Sequence, residues 1–272
     1  MDQLSVILQR FSMSTDVFFT GNLCGIASFN REPNQGHLHL LRSGALTIVD
    51  EQGQSQLIDQ PTVLYFPKPH AHRIIASEEH PPQLVCANVV YNDNSSNPIA
   101  DALPSLLCFR LTDCQKMNQT AHWLFEEAFE ENCGKQPMIN ALTDVFIIHV
   151  LRHVMHNELI QHGMLAGLAH PQLSKVLLAI HETPDHSWGL EEMAELALMS
   201  RSKFADLFKK VVGQSPGDYV IDWRITVAKS LLLQDKPVAL VANAVGYENG
   251  SALARVFRKK LNMSPKEWLE LK

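Results

Sequence analysis

The chain has 272 residues, 46% of them hydrophobic, which is enough for two domains of ordinary size. Its formal charge of −6 divides unevenly: residues 172–272 carry 14 Lys and Arg against 12 Asp and Glu, net +2, and residues 1–171 carry −8. The overall acidity therefore does not exclude a polyanionic partner for the back half, while five Cys, an odd number, argue against a disulfide-framed secreted domain.

From the front, Met1 to Arg10 has neither the basic start nor the long apolar core of a signal peptide. Residues 17–91 alternate in the β manner, with strands expected at 24–29, 37–41, 46–49, 56–58, 63–66, 72–75 and 84–91 between Gly, Asn, Asp and Pro turns. Many short antiparallel strands at this spacing imply a small barrel or jelly roll. Residues 92–98 read as a polar loop, and 117–133 and 139–161 as helices. The second helix carries Leu142, Val145, Phe146 and Val150, more apolar surface than a solvated helix needs, so it packs on the barrel or pairs with a second copy. Its best apolar run, 144–151, is short and contains His149, so no membrane span is expected and the chain reads as cytoplasmic. His149, His153 and His156 share one stripe of it, where a surface or interface role is favoured. Glu126, Glu127, Glu130 and Glu131 form a solvated charge run. Residues 163–171 read as a linker, dividing the chain into 1–162 and 172–272.

The last hundred residues carry one pattern written twice. Phe204, Leu207, Phe208, Lys209, Lys210, Gly213, Ser215 and Pro216 recur 49 positions later as Leu253, Val256, Phe257, Arg258, Lys259, Asn262, Ser264 and Pro265. The first copy follows Leu190 to Ser200, a short amphipathic helix, a tight turn and a helix start, which makes it a helix-turn-helix. One stripe of each helix is buried by the i, i+3, i+4, i+7 rule. The other exposes Arg201, Ser202, Lys203, Asp206 and Lys209 in the first copy and Ser251, Arg255, Arg258 and Lys259 in the second. A small, polar, basic helix face fits a DNA major groove. Ser200 and Asn249 stand as N-caps, and Gly213 and Asn262 sit just past the helix ends. Residues 218–233 form one connecting helix, roughly 24 Å long at 1.5 Å per residue.

The stretch Trp188 to Trp268, with Leu190-Glu-Glu-Met-Ala, Met199-Ser-Arg-Ser-Lys-Phe204, Trp223-Arg224, Val245-Gly-Tyr247 and Met263-Ser-Pro265, closely resembles the DNA-binding domain of the AraC/XylS family of transcription regulators. Leu198, where the first turn often has Gly, Leu253 for an aromatic and Asn262 for Gly depart from the pattern. The segment His37-Leu-His-Leu-Leu-Arg-Ser-Gly44, with Val63-Leu-Tyr-Phe-Pro67 and His70-Ala-His72, is similar to the cupin sensor domain of many such regulators. The resemblance implies an α+β chain: an N-terminal cupin-like β-barrel with dimerisation helices, then an all-α double helix-turn-helix domain. It also implies a promoter operator in double-stranded DNA, RNA polymerase and a second copy of the chain as partners. In cupin enzymes a carboxylate follows the H-x-H pair; here Ser43 and Gly44 stand there, so a catalytic metal centre is not expected.

Cys24, His39, His72 and Cys86 resemble the pattern of a branch of these regulators associated with sensing reactive oxidants. Four readings stand: each Cys a small buried core residue and each His capped or exposed, an S2N2 site for Zn or Cu(I), a redox-active thiolate beside imidazole, or a pocket for a small organic effector without Cys chemistry. No triad, phosphate loop or CxxC pair suggests catalysis; a cupin enzyme fused to a DNA-binding domain is the rival function.

Overall fold

The computed structural model describes residues 2–91, 97–157, 159–160 and 162–271; most of the loop expected at 92–98 lies outside them. The chain forms two compact units. A β unit comprises Met13–Asn92 and Leu103–Asn157, and a helical unit comprises Met1–Ser12, Asp93–Ala102 and Glu158–Lys272.

Among the described residues the β unit has nine strands: β1 Met13–Asn22, β2 Gly25–Phe29, β3 Gln35–Ser43, β4 Leu46–Val49, β5 Ser55–Ile58, β6 Thr62–Phe66, β7 His72–Ala76, β8 Gln83–Tyr91 and β9 Leu107–Arg110. They make one sheet in the order β1-β8-β3-β6-β9 and a second in the order β2-β7-β4-β5, with antiparallel pairing throughout. Alternation explains the inward face: His72, Ile74 and Ala76 of β7 are buried while Arg73 and Ile75 face out. The core between the sheets joins Leu41, Leu46, Ile48, Ile58, Leu64, Phe66, Ile74, Leu84 and Cys86.

Two helices follow, α3 Gln115–Phe129 and α4 Lys135–His156, which pack on each other and on β1. β1 is an edge strand, and α4 satisfies that edge with a polar stripe at four-residue spacing. Gln136 Nε2 donates to Val17 O (2.7 Å), Asn140 Oδ1 accepts from Val17 N (2.9 Å), and Asp144 Oδ1 accepts from Thr15 N (2.7 Å). By length and composition α4 is apolar enough to cross a membrane, contrary to the sequence reading. Its buried residues Ile139, Phe146, Ile147, Val150, Leu151 and Val154 make it a core helix of the β unit.

The helical unit contains α1 Gln3–Arg10, α2 Pro98–Ala102, α5 Met164–Ala169, α6 Leu173–Glu182, α7 Leu190–Leu196, α8 Arg201–Val212, α9 Pro216–Leu233, α10 Val238–Ala244, α11 Gly250–Leu261 and α12 Pro265–Glu270. Residues 163–171, expected as a linker, are thus mostly helix: Met164, Leu165 and Leu168 of α5 are buried, and Gly163 N donates to Val211 O (3.0 Å). Gly167 serves close packing rather than flexibility, since an added Cβ would lie 2.5 Å from Leu177 Cδ1. The cut expected at 162 differs on the other side too. α1 packs against α6, and Phe11 meets Trp223 edge-on at 5.4 Å, so residues 1–12 belong with the helical unit.

Candidate functional site

The two helix-turn-helix copies are built by the same local devices. Ser200 Oγ accepts from Lys203 N at the start of α8, and Asn249 Oδ1 accepts from Ala252 N (3.0 Å) at the start of α11. Gly213 (φ +90°) and Asn262 (φ +59°) end them in the left-handed region. Each helix is then followed by a Ser-Pro start whose serine, Ser215 or Ser264, caps the next helix. Phe204, Phe208 and Val212 bury one stripe of α8, and Leu253 and Phe257 one stripe of α11.

The opposite faces are open. Arg201, Ser202, Lys203, Asp206, Lys209, Ser251, Arg255, Arg258 and Lys259 are all exposed. α11 has no acidic residue, whereas α8 carries Asp206, and Arg201 lies 3.9 Å from Glu191 of α7. Lys260 turns inward instead: its Nζ is 2.7 Å from Asp222 and 3.7 Å from Asp218, both on α9. Such faces can bind phosphates through cations and read base edges through Arg, with small residues allowing close approach.

In the β unit the inward faces bring a group of imidazoles together. β3 supplies His37 and His39, β7 supplies His72, and Phe29 and Phe66 stack on the His72 ring at 4.8 and 4.0 Å. His39 Nε2 lies 2.8 Å from His72 Nε2, and His72 Nδ1 lies 3.1 Å from His70 O. A carbonyl can only accept, so His72 carries its proton on Nδ1, and His39 must donate from Nε2 to the His72 lone pair. His39 Nδ1 is then a buried acceptor with no hydrogen-bond partner among the described residues, and the Nδ1 atoms of His37 and His70 are likewise buried without one there. Burial lowers the pKa of His39 well below the ordinary value, and that of His72 to about 4, so both rings are neutral at pH 7.

Cys86 faces His39 directly across the β3–β8 pair and is buried, which pushes its thiol up to about 12. The fourth residue of the expected quartet does not join them. β2 begins at Gly25 (φ +73°) rather than at Cys24, and Cys24 is exposed, with its thiol free. Among the described residues no group of three or more His, Cys, Asp or Glu is arranged to hold a metal ion. The His72 tautomer, held by a carbonyl with its lone pair turned inward, is that of a metal ligand, but His39 as hydrogen-bonded and Cys86 as a buried thiol are not. The S2N2 donor set therefore does not fit the residues as placed.

Two further expectations are revised. Phe146 and Val150 are fully buried and cannot meet a second copy; on α4 only Val145 is exposed among the four candidates, with Leu142 half-buried. The expected strands end at 84–91, yet the β unit has a further one, β9, which contains Cys108. Sequence reasoning misses His37, His70 and Phe29 as members of the imidazole cluster, although the H-x-H spacing at 37–39 and at 70–72 is a signal for the two histidines.

A two-sheet barrel with its own helices, joined to two capped helix-turn-helix motifs, defines a sensor-and-reader class of protein. Comparison with known families agrees: the Cupin model matches residues 2–156 and the Helix-turn-helix domain model matches residues 193–270. The chain belongs to the AraC-type transcription regulators that carry an N-terminal cupin domain. It is 30% identical over 187 residues to an HTH-type transcriptional regulator of Haemophilus influenzae, covering 68% of this chain and 62% of that one. The HTH-type transcriptional regulator AlkR of Acinetobacter baylyi is 28% identical, covering 86% of this chain and 79% of its own length. The RCS-specific HTH-type transcriptional activator RclR of Escherichia coli is 24% identical, covering 85% and 83%. The match thus spans about three fifths of the Haemophilus relative and four fifths of the other two.

Proposed function

We propose that this chain is a cytoplasmic, homodimeric regulator that binds a promoter operator in double-stranded DNA, works with RNA polymerase, and changes its DNA occupancy when a signal reaches the cupin domain. The observation that carries the reading is the repetition of one capped, basic-faced helix on α8 and α11, with each apolar stripe buried. In the full chain, Arg255→Ala and Arg258→Ala are expected to weaken binding to a selected operator by roughly 1–3 kcal/mol, more than they weaken nonspecific binding. Gel shifts across a salt series check this; wild-type affinity in both variants would take α11 out of the groove.

We assign the signal to the β unit, with the imidazole cluster and the exposed Cys24 outside it as the two candidate points of entry. In the cluster, the paired His39 and His72 with Cys86 opposite are donor types suited to Zn or Cu(I), but binding there requires the His39 proton to move and Cys86 to ionise against its burial. An oxidant reaches the exposed Cys24 first, and the Escherichia coli relative is named as RCS-specific, which favours that class of signal. Metal analysis with thiol counting on the chain purified without reductant separates these two forms from a small organic effector, which would leave both unchanged. The missing carboxylate at Ser43 and Gly44 and the regulator names of the relatives speak against an enzyme.

A further inference from the structure

We propose that Arg224 fixes the spacing between the two recognition helices, and with it the number of base pairs an operator must place between its two halves. The assignment rests on the DNA-binding reading above and adds a positioning residue to it. Arg224 sits on α9, half-buried. Its Nε donates to Pro184 O at 2.7 Å and its Nη2 to His186 O at 2.8 Å, two carbonyls in the loop that leads into the first motif. The guanidinium also lies over the ring of Tyr247, 5.4 Å from its centroid, and Tyr247 is in the turn of the second motif. At the neighbouring Gly246 (φ +79°) an added Cβ would be 2.6 Å from Asp185 O and 2.8 Å from Arg224 Nη2. The approach to the first motif, the connecting helix and the turn of the second motif therefore converge on one side chain.

Other ties hold each motif to α9 singly. Phe208 meets Tyr219 edge-on at 5.5 Å for the first, and Lys260 pairs with Asp222 at 2.7 Å for the second. Arg224 joins the two motifs to each other. The loop it grips is itself fixed, because Trp188 Nε1 donates to Thr183 O (3.0 Å) and the His186 ring pairs with Glu192 (2.9 Å). The geometry asks for arginine: a planar fork reaches two carbonyls and lays its face on an aromatic ring, which an ammonium cannot do together. Successive major grooves recur about every 10–10.5 base pairs, so each inserted pair both separates and rotates the second half-site. A reader with fixed helix spacing resists such insertion, and a loosened one tolerates it.

The test uses the full chain and duplexes enriched by the wild-type protein from a random-sequence pool. Each enriched duplex is also made with one or two base pairs inserted between its halves, and with one half scrambled. Wild type is expected to lose about tenfold or more in affinity per inserted pair, the scale of a lost base contact. For Arg224→Ala and Arg224→Lys, affinity on the intact duplex should fall toward that on the half-scrambled duplex. Affinity on the half-scrambled duplex should stay within about twofold of wild type, and the insertion penalty should shrink to about threefold or less. Gly246→Ala, which pushes the same contact apart from the other side, should do likewise, and thermal unfolding identifies any variant that does not fold. Folded variants that keep the wild-type insertion penalty overturn the assignment. So does an equal loss on intact and half-scrambled duplexes, which would mark Arg224 as a general stability or phosphate-contact residue. If the wild-type chain enriches no sequence, the DNA-binding reading fails and this one with it, a result visible before any variant is compared.

Discussion

At the scale of single residues, the two helix-turn-helix copies differ most in their turns. Gly246 takes φ +79° in the second, but in the first the equivalent conformation falls to Leu198 at φ +56°, with 85% of its surface exposed. A β-carbon in the left-handed region costs roughly 1–2 kcal/mol, part of which glycine returns through its freer unfolded chain. Leu198→Gly should therefore raise stability by roughly 0.5–1 kcal/mol in chemical denaturation; a lower midpoint would contradict this reading of the turn. His181 offers a second test. It is stacked on Trp223 at 3.8 Å, its Nε2 lies 2.6 Å from the Tyr219 hydroxyl, and burial, with a smaller contribution from Arg10, brings its pKa to about 3. Above pH 6.5 it is neutral in both folded and unfolded chains. Between 6.5 and about 3 only the unfolded chain takes the proton, so stability falls with pH, by about 2 kcal/mol at pH 5. Tryptophan fluorescence in denaturant at pH 7.5 and pH 5 should show that loss in the wild type and a smaller one in His181→Gln. Equal losses would place the acid sensitivity elsewhere. The imidazole cluster in the β unit is only half visible in the sequence, because strand alternation places a residue on a face without saying what the opposite sheet presents to it. Cys24 illustrates the error: one position ahead of a strand end, it reads as the strand's first residue, yet it is exposed.

At the scale of elements, periodicity finds α4 but cannot assign its sides. Its buried side holds Phe146 and Val150, and its outer side leaves Val145 at 46% and Met138 at 50% exposure, with Leu142 between them half-buried. Positions 138, 142 and 145 follow the 4-3 spacing of a helix-pairing seam, so the homodimer proposed above would use the outer side. Val145→Glu is expected to shift the full chain toward monomer in sedimentation at micromolar concentration with its melting curve retained, while Phe146→Glu should unfold the β unit. A Val145→Glu chain that sediments like wild type would remove this face from the interface. The doubled motif is legible in detail, down to Ser200, Asn249, Gly213 and Asn262, because caps and left-handed ends are set by residues within one turn of the chain. The stretch that forms α5 misleads for the converse reason. Gly163 and Gly167 look like punctuation, but Gly167 is required by Leu177, a contact no local pattern announces.

At the scale of the whole chain, residues 1–12 and 158–272 share a unit although the β unit is strung between them. Leu4, Ile7 and Phe11 give α1 a buried face against that unit. Deleting residues 2–12 should lower the thermal midpoint of the DNA-binding half, because Phe11 leaves the edge of Trp223 and apolar surface is opened at roughly 25 cal/mol per Å². Calorimetry of the full-length and shortened chains checks it, and an unchanged midpoint would show that α1 contributes no stability there. The same threading sets an order of events during synthesis. α1 is made before α6 and Trp223, which come at 173 and beyond, a wait of about 10 to 40 s at bacterial or slower translation rates. Through that interval an amphipathic helix with Leu4, Ile7 and Phe11 uncovered is carried by a nascent chain whose β unit is already complete to residue 157 before α6 appears. Until the last hundred residues arrive to close over it, the apolar face of α1 therefore has no partner from the helical unit, although the fold of the β unit no longer waits on anything downstream.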